Sequence, residues 1–474
     1  MSSASVGAKA QAPPVVRRGP WAVFWVLALI EFMSVMDASA VNIALPHISD
    51  SLGFTPTTIA WVVDAYLVGF AGFMLLAGRA TDIVGRRRLF IAGVVVFTLF
   101  SLACAISTEP WQLVVSRLFQ GLGAALVTPA ALALITDIFP EGPNRNKAIG
   151  IFSGMAGVAA PVGLVLGGLL TTAAWQWIFL INLPIGLVVL VASLRLLPST
   201  PGGARERLDV FGAVAATGGL ILLILATVRG SAQGWASALT ITEYAAAAVL
   251  IVAFVVRQRR AVAPLLPTAL FDRRNVVVGN MIFTLVGTVL ISTFFVITLF
   301  LQQVRNFDSL AAALIYLPVP VAMLIGTQVA PRVLRFGPPN ALAAGLLIQA
   351  AALAAWATLL SDERSIVVAF VVPAAVWAFG LGMSIVSSFV VCTMGIDGPI
   401  AGAAAGLATT TYQAGGALGL AVLAVVADSR TRAVAGELSP ADALVSGYSA
   451  ALWCALGATL LGAVLTRFIV SRRA

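Results

Sequence analysis

Of 474 residues, 60% are hydrophobic and only 10% charged, against about 25% charged in an ordinary soluble domain, which excludes a water-soluble globule. Basic side chains outnumber acidic ones 28 to 19. They sit in short segments between apolar runs, which leaves no free basic face for nucleic acid and matches orientation by cytoplasmic Lys and Arg. Cys104, Cys392 and Cys454 all lie inside apolar runs and His47 is the sole histidine, so a disulfide framework, a thiolate metal site and a His-based triad are excluded.

Residues 1–20, rich in Ser, Ala and Pro, read as a disordered cytoplasmic tail. Arg17 and Arg18 imitate the start of a signal peptide, but the run at 21–45 is too long, carries two acids and lacks a small-residue cleavage site. Crossing the hydrocarbon layer takes about 20 apolar residues. Windows of that kind fall at 21–45, 57–78, 89–107, 111–136, 147–172 and 177–197, then at 209–228 and 241–256, then at 277–303, 309–330, 339–360, 365–392, 402–427 and 446–469. His47 falls in a connecting segment after the first span, and Asp428, Glu437 and Asp442 fall in a long external loop. With the amino terminus inside, 22 of the 28 basic residues are cytoplasmic, five are external and Arg117 lies within a span, which places both termini inside.

The six, two, six grouping predicts an all-α integral membrane protein of 14 spans: a tail (1–20), a six-helix bundle (21–198), a linker carrying two extra helices (199–274) and a second six-helix bundle (275–474). The fifth span of each bundle is rich in glycine: Gly150, Gly154, Gly157, Gly163, Gly167 and Gly168 in one, Gly402, Gly406, Gly415, Gly416 and Gly419 in the other. Small residues let helix backbones approach closely, whether for static packing or for a moving contact.

A charge inside a bilayer is costly and marks a functional candidate. Four qualify here: Glu31, Asp37, Asp64 and Arg117. At about 1.5 Å per residue, Asp37 lies roughly 6 Å, Asp64 roughly 5 Å and Arg117 roughly 10 Å outside the middle of their spans. Glu31 lies nearer the midplane and on a different face from Asp37. A carboxylate so placed exchanges protons as its access to water changes. The alternatives are a structural ion pair between Arg117 and either aspartate, and a Glu31 that merely lines a wet crevice. Between spans two and three, Gly85 permits a tight turn and Asp82 can accept hydrogen bonds from helix ends or from the arginines around it.

The segment from Gly78 through Asp82, Gly85 and Arg86 to Arg88 resembles the signature loop of the major facilitator superfamily, and Arg117-Leu-Phe-Gln120-Gly121-Leu-Gly123 resembles its fourth-helix motif. Met36-Asp37 through Asn42 to Pro46 is similar to the first-helix motif of the fourteen-span drug/proton antiporter family. Trp175 to Gly186, with Asn182 and Pro184, and Gln413 to Gly419 also match segments of that family. The resemblance implies the major facilitator fold and export of lipophilic, often cationic or aromatic compounds in exchange for protons. It implies no nucleotide hydrolysis, no cofactor and no metal, in a monomer embedded in the cell membrane. It makes Asp37 the coupling acid, Arg117 the proton-relay arginine, and Gly78, Asp82, Gly85 and Arg86 a cytoplasmic latch. Pro161, Gly163, Gly167 and Gly168 stand in the antiporter motif, with Leu164 where a proline is expected. In the second half the counterpart of the signature loop, near Ala330 to Gly337, has Leu334 in place of an acid. Met33, Met36, Phe294, Phe295, Tyr412 and Gln413 are candidate pocket lining, although such residues at helical spacing more often pack cores. An uptake symporter or facilitator of the same fold is the competing expectation. A membrane-embedded enzyme lacks a catalytic constellation in this inventory.

Overall fold

Proline and glycine punctuate the chain into helices in a computed structural model that describes residues 19–55, 57–140, 142–198, 209–260, 268–361, 364–396 and 400–470. Residues 1–18 of the expected tail fall outside these residues, as do 199–208 and 261–267 of the linker, while Pro20 already belongs to the first helix. Seven helices come first: α1 (Pro20–Leu52), α2 (Trp61–Val84), α3 (Arg86–Ala105), α4 (Pro110–Ile138), α5 (Pro143–Thr171), α6 (Trp177–Leu180) and α7 (Asn182–Leu196). A hairpin follows, α8 (Val210–Gln233) and α9 (Ala238–Arg260). The chain then forms α10 (Arg274–Leu299), α11 (Ser309–Tyr316), α12 (Pro318–Leu334), α13 (Pro338–Leu359), α14 (Val372–Thr393), α15 (Ala401–Val434) and α16 (Pro440–Leu465). No strand occurs among the described residues. Proline opens α1, α4, α5, α13 and α16, where its missing N–H is no loss; Pro318 and Pro373 instead follow residues of helical conformation directly and mark the junctions that start α12 and α14. Twelve stretches among the described residues are long and apolar enough to cross a bilayer, and α2 and α5 add the shorter apolar runs Trp61–Met74 and Val158–Thr171.

Three boundaries depart from the sequence expectation. The second helix does not stop at Gly78: α2 runs to Val84 and α3 starts at Arg86, so Gly78 and Asp82 are helical and the expected loop shrinks to a turn at Gly85. The first helix does not stop at Leu45: α1 runs through Pro46 to Leu52, so His47 is helical. A proline inside a membrane helix is tolerated when neighbours satisfy the freed backbone. The long external loop is also absent. Asp428 lies within α15, paired with Arg432 one turn on, and Asp442 lies in the first turn of α16, capped by Ser439. The polar stretch is helical because its charges satisfy one another along one face.

The two groups of seven helices repeat one another. Gly85 between α2 and α3 has φ 97°, ψ 135°, and Gly337 between α12 and α13 has φ 105°, ψ 134°, a conformation closed to residues with a Cβ. Gly69 and Gly121 each press against a backbone carbonyl of the opposite helix, Leu118 of α4 and Tyr66 of α2; Gly326 and Gly382 do the same between α12 and α14, against Phe379 and Met323. The hairpin lies beside the seam where α2 meets α15, with α8 touching both. Its partner α9 has only 11% of its apolar window buried, against 67% for α10, and so presents most of its surface outward.

Asp209 ties the hairpin together. Its side chain caps α8 by accepting from the Gly212 N–H at 3.0 Å, and accepts from Arg257 Nε at 2.5 Å and Gln258 Nε2 at 3.1 Å. Burial works to raise this carboxyl, but the bonds from Arg257, Gly212 and Gln258 and the Arg257 charge together hold it below the ordinary carboxylate value. The stabilisation is therefore present above the unfolded value and is lost as pH falls through the folded one. Asp209→Ala is expected to cost about 1 kcal/mol, read as faster protease cleavage near the α8–α9 ends at pH 7. Indistinguishable cleavage rates would remove the capping role.

Candidate functional site

Four helices converge on Asp37, which has no exposed surface. From α4, Arg117 Nη1 donates to Asp37 Oδ2 at 2.6 Å and to Gln120 Oε1 at 2.6 Å, while its Nε donates to the Val62 carbonyl of α2 at 3.0 Å. Gln120, one turn along α4, donates through Nε2 to Asp37 Oδ1 at 3.1 Å. From α7, Asn182 Nδ2 donates to the same oxygen at 2.7 Å and to Ser101 Oγ of α3 at 3.0 Å. Ser101 in turn donates to the Phe179 carbonyl at 2.9 Å. Tyr66 lies under the guanidinium, ring centroid to Cζ 4.4 Å, with its hydroxyl 2.8 Å from Ser34 Oγ.

Arg117 is 1% exposed and Gln120 and Asn182 are fully buried. A buried pair survives desolvation only with good geometry and further hydrogen bonds on its remaining lone pairs, and Asp37 has donors on both oxygens. The Asn182 carbonyl oxygen is buried with no partner. The network therefore holds a charged pair together with one unfilled acceptor beside the acid.

The other candidates fall apart from this centre. Asp64 is fully buried and neither carboxyl oxygen has a hydrogen-bond partner, so Arg117 selects Asp37 over Asp64. Glu31, partly exposed, accepts from Thr128 Oγ1 at 3.1 Å. In the signature loop, Arg86 pairs with Asp137 and donates to the Ala133 carbonyl at 3.0 Å, binding α3 to the end of α4. Gly78 and Asp82 lie in the last turns of α2, which Gly85 terminates; the side chain of Asp82 and the surroundings of Gly150, Gly154 and Gly157 in α5 and of Gly402 in α15 are not described.

On α5, Gly163 and Gly167 face α1, where a Cβ on Gly167 would meet Ala40 Cα at 2.7 Å, and Gly168 faces α11, where a Cβ would meet the Ser309 carbonyl at 2.7 Å. Leu164 is buried, and Pro161 sits inside a helix that stays continuous. Met33, Met36 and Phe295 lie in the interior. Phe294 packs on Tyr316 at 5.2 Å and on Trp377 at 5.8 Å, and Tyr412 on Phe283 at 4.7 Å, while Gln413 is half-buried.

The Major Facilitator Superfamily model matches residues 27–420. This chain is a major facilitator superfamily protein. It is 38% identical over 414 residues to the cephamycin export protein CmcT of Amycolatopsis lactamdurans, covering 86% of this chain and 85% of that one. It is 34% identical over 466 residues to the puromycin resistance protein pur8 of Streptomyces alboniger, covering 96% and 92%. A solved bacterial homologue of the lysosomal transporter Spinster shares the fold, with TM-score 0.68 at 15% identity over 96% of this chain and 98% of that one.

As a superfamily member the protein is a multi-pass membrane transporter and not an enzyme, with relatives named for antibiotic export and resistance. Within its motifs, Gln120 and Asn182 proved to be direct partners of Asp37, a role that sequence reasoning left unassigned. Ser101 and Asp137 went unremarked. Gln120 was the findable one, since three residues after Arg117 put it on the same face of the helix.

Proposed function

We propose that this transporter exports lipophilic, drug-like compounds, cationic or aromatic ones among them, across the cell membrane in exchange for protons. The observation that carries the reading is the buried Asp37–Arg117 pair, held by the amides of Gln120 on α4 and Asn182 on α7. Relatives named for export of, or resistance to, cephamycin and puromycin support the direction and the drug-like cargo.

In this reading the chain crosses the membrane 14 times with both termini cytoplasmic, α2 and α5 counting as spans. Bundles 21–198 and 275–474 rock about a central site, the hairpin in 199–274 stays beside the seam, and Gly78, Asp82, Gly85 and Arg86 latch the cytoplasmic side. A monomer suffices, driven by the proton gradient without a cofactor, and nucleic acid plays no part. A proton arriving at Asp37 Oδ1 turns that oxygen from acceptor to donor. The Asn182 amide then has to rotate, presenting its unfilled carbonyl oxygen, and the grip of Arg117 on Asp37 weakens. Glu31 and Asp64 are further proton-carrying candidates on the same bundle.

The test is Asp37→Asn in liposomes with an imposed pH gradient and ethidium, a planar lipophilic cation, as cargo. Ethidium-dependent proton movement is expected to vanish while the protein elutes as a folded species. Undiminished exchange removes Asp37 from coupling.

A further inference from the structure

The mouth of the transporter at the end where α1 finishes is shut by contacts between the two halves. Gly168 of α5 packs directly on α11, since a Cβ there would lie 2.7 Å from the Ser309 carbonyl and 3.0 Å from Leu310 Cα. Gln302 reaches across from the second half and donates through Nε2 to the carbonyl of Ile43 in α1 at 3.0 Å. That carbonyl lies beside Pro46, which has no N–H for the Asn42 carbonyl and disturbs the helical ladder locally. Six residues, or about 9 Å of helix, separate Ile43 from Asp37.

Two more side chains complete the contact. Ser309 Oγ is 3.3 Å from His47 Nδ1 and 3.5 Å from Gln302 Oε1. One donor order satisfies all three: His47 Nδ1–H to Ser309, Ser309 O–H to the Gln302 carbonyl oxygen, and the Gln302 amide to Ile43. The continuation of α1 past Pro46 is what brings His47 into reach.

The segment carrying Gln302 is built to be held still. It is a π-turn, Phe300–Val304, following α10, a local widening of the helix often found at functional sites. Gln303 beside it accepts from Tyr448 Oη at 2.6 Å, and Arg305 Nη1 donates to the carbonyls of Arg364 at 3.0 Å and Ser361 at 3.3 Å. Asn306 has φ 54°, the left-handed conformation that asparagine tolerates best among non-glycine residues. Gln303 and Arg305 thus anchor the segment to its own half and leave Gln302 pointed at the other.

We infer that Gln302, backed by Ser309 and His47, is the clasp that closes this mouth over Asp37, and that it opens once in each transport cycle. The exposure along α1 fits: Asp37 is sealed, whereas Glu31, on the far side of Asp37 from the clasp, keeps part of its surface open. A side-chain amide on a backbone carbonyl suits a joint that must break repeatedly, since single interhelical hydrogen bonds in membranes are weak. The inference concerns closure alone and stands whether or not Asp37 couples protons.

The test uses Leu164→Cys as reporter. Leu164 is 2% exposed and, four residues before Gly168, faces the second half on α5. A membrane-impermeant maleimide is applied to vesicles from the face where α1 ends, with the chain lacking the added cysteine giving the background and Ser51→Cys, on an exposed residue, giving the open rate. The reporter alone is expected to label far more slowly than Ser51→Cys. Adding Gln302→Leu, or Ser309→Ala, should speed its labelling roughly fivefold by shifting the population toward the open mouth. Thr358→Ala, on an exposed residue of α13 whose hydroxyl bonds only back to the Ala354 and Ala355 carbonyls of its own helix, should leave the rate unchanged. Gln302→Asn keeps the amide but shortens its reach, and carries the test if the leucine variant fails to fold. Labelling by Gln302→Asn and Ser309→Ala no faster than by the reporter alone overturns the clasp, and so does a reporter already labelled at the Ser51→Cys rate.

Discussion

Arg117→Leu is expected to destabilise the protein by about 3–5 kcal/mol, because removing one member of a buried ion pair strands the other in low dielectric. Asp37 would keep the amide donors of Gln120 and Asn182 but no counter-charge, and the Val62 carbonyl and the Tyr66 ring would lose their partner. Taking away the survivor's charge as well should reverse part of the loss. Arg117→Leu/Asp37→Asn is therefore expected to unfold at a higher temperature than Arg117→Leu alone, although both lose export. Arg117→Lys should fall between, since an ammonium cannot reproduce the planar fork that serves Asp37, Gln120 and Val62 together. Thermal unfolding of the four proteins in one detergent measures this. Equal midpoints for Arg117→Leu and the parent chain would mean that the pair contributes nothing.

The sequence made the span pattern and the acid of the first helix readable, because intramembrane charge and 20-residue apolar windows are rare signals with a direct physical cause. It could not tell which aspartate Arg117 pairs with, since Asp37 and Asp64 lie at similar depth on neighbouring helices and depth is all that spacing supplies. Ser101 was invisible for a different reason. A serine in a membrane helix ordinarily bonds back to its own helix, as Ser384 does with Gly380, and only packing shows that Ser101 turns to Phe179 instead. Helix ends misled where tertiary partners override local rules. Pro46 reads as a stop, yet the far half supplies a donor to the adjacent turn, and the charges from Asp428 to Arg432 read as a loop although they pair along a helix.

Gly121→Ala tests whether the charged site depends on the register of α2 against α4. Arg117 and Gly121 are one turn apart on α4 and meet Val62 and Tyr66, one turn apart on α2: the guanidinium takes the Val62 carbonyl and the bare glycine seats against the Tyr66 carbonyl. A methyl at Gly121 has no room, because the obstructing atoms are backbone and cannot rotate aside. The helices must part, which costs about 1–3 kcal/mol in overpacking and draws Val62 and Tyr66 away from Arg117. Gly382→Ala repeats the same insult between α12 and α14, against the Met323 carbonyl, away from the Asp37–Arg117 pair of the first half. Both variants should lose comparable thermal stability, but Gly121→Ala should lose markedly more export per folded molecule. Gly457→Ala, with nothing within 4 Å of the added methyl, should match the parent in both measurements. Equal export losses from Gly121→Ala and Gly382→Ala would show that the Asp37–Arg117 site tolerates a shifted register, and that Arg117 is placed by its own hydrogen bonds rather than by the glycine contact beneath it.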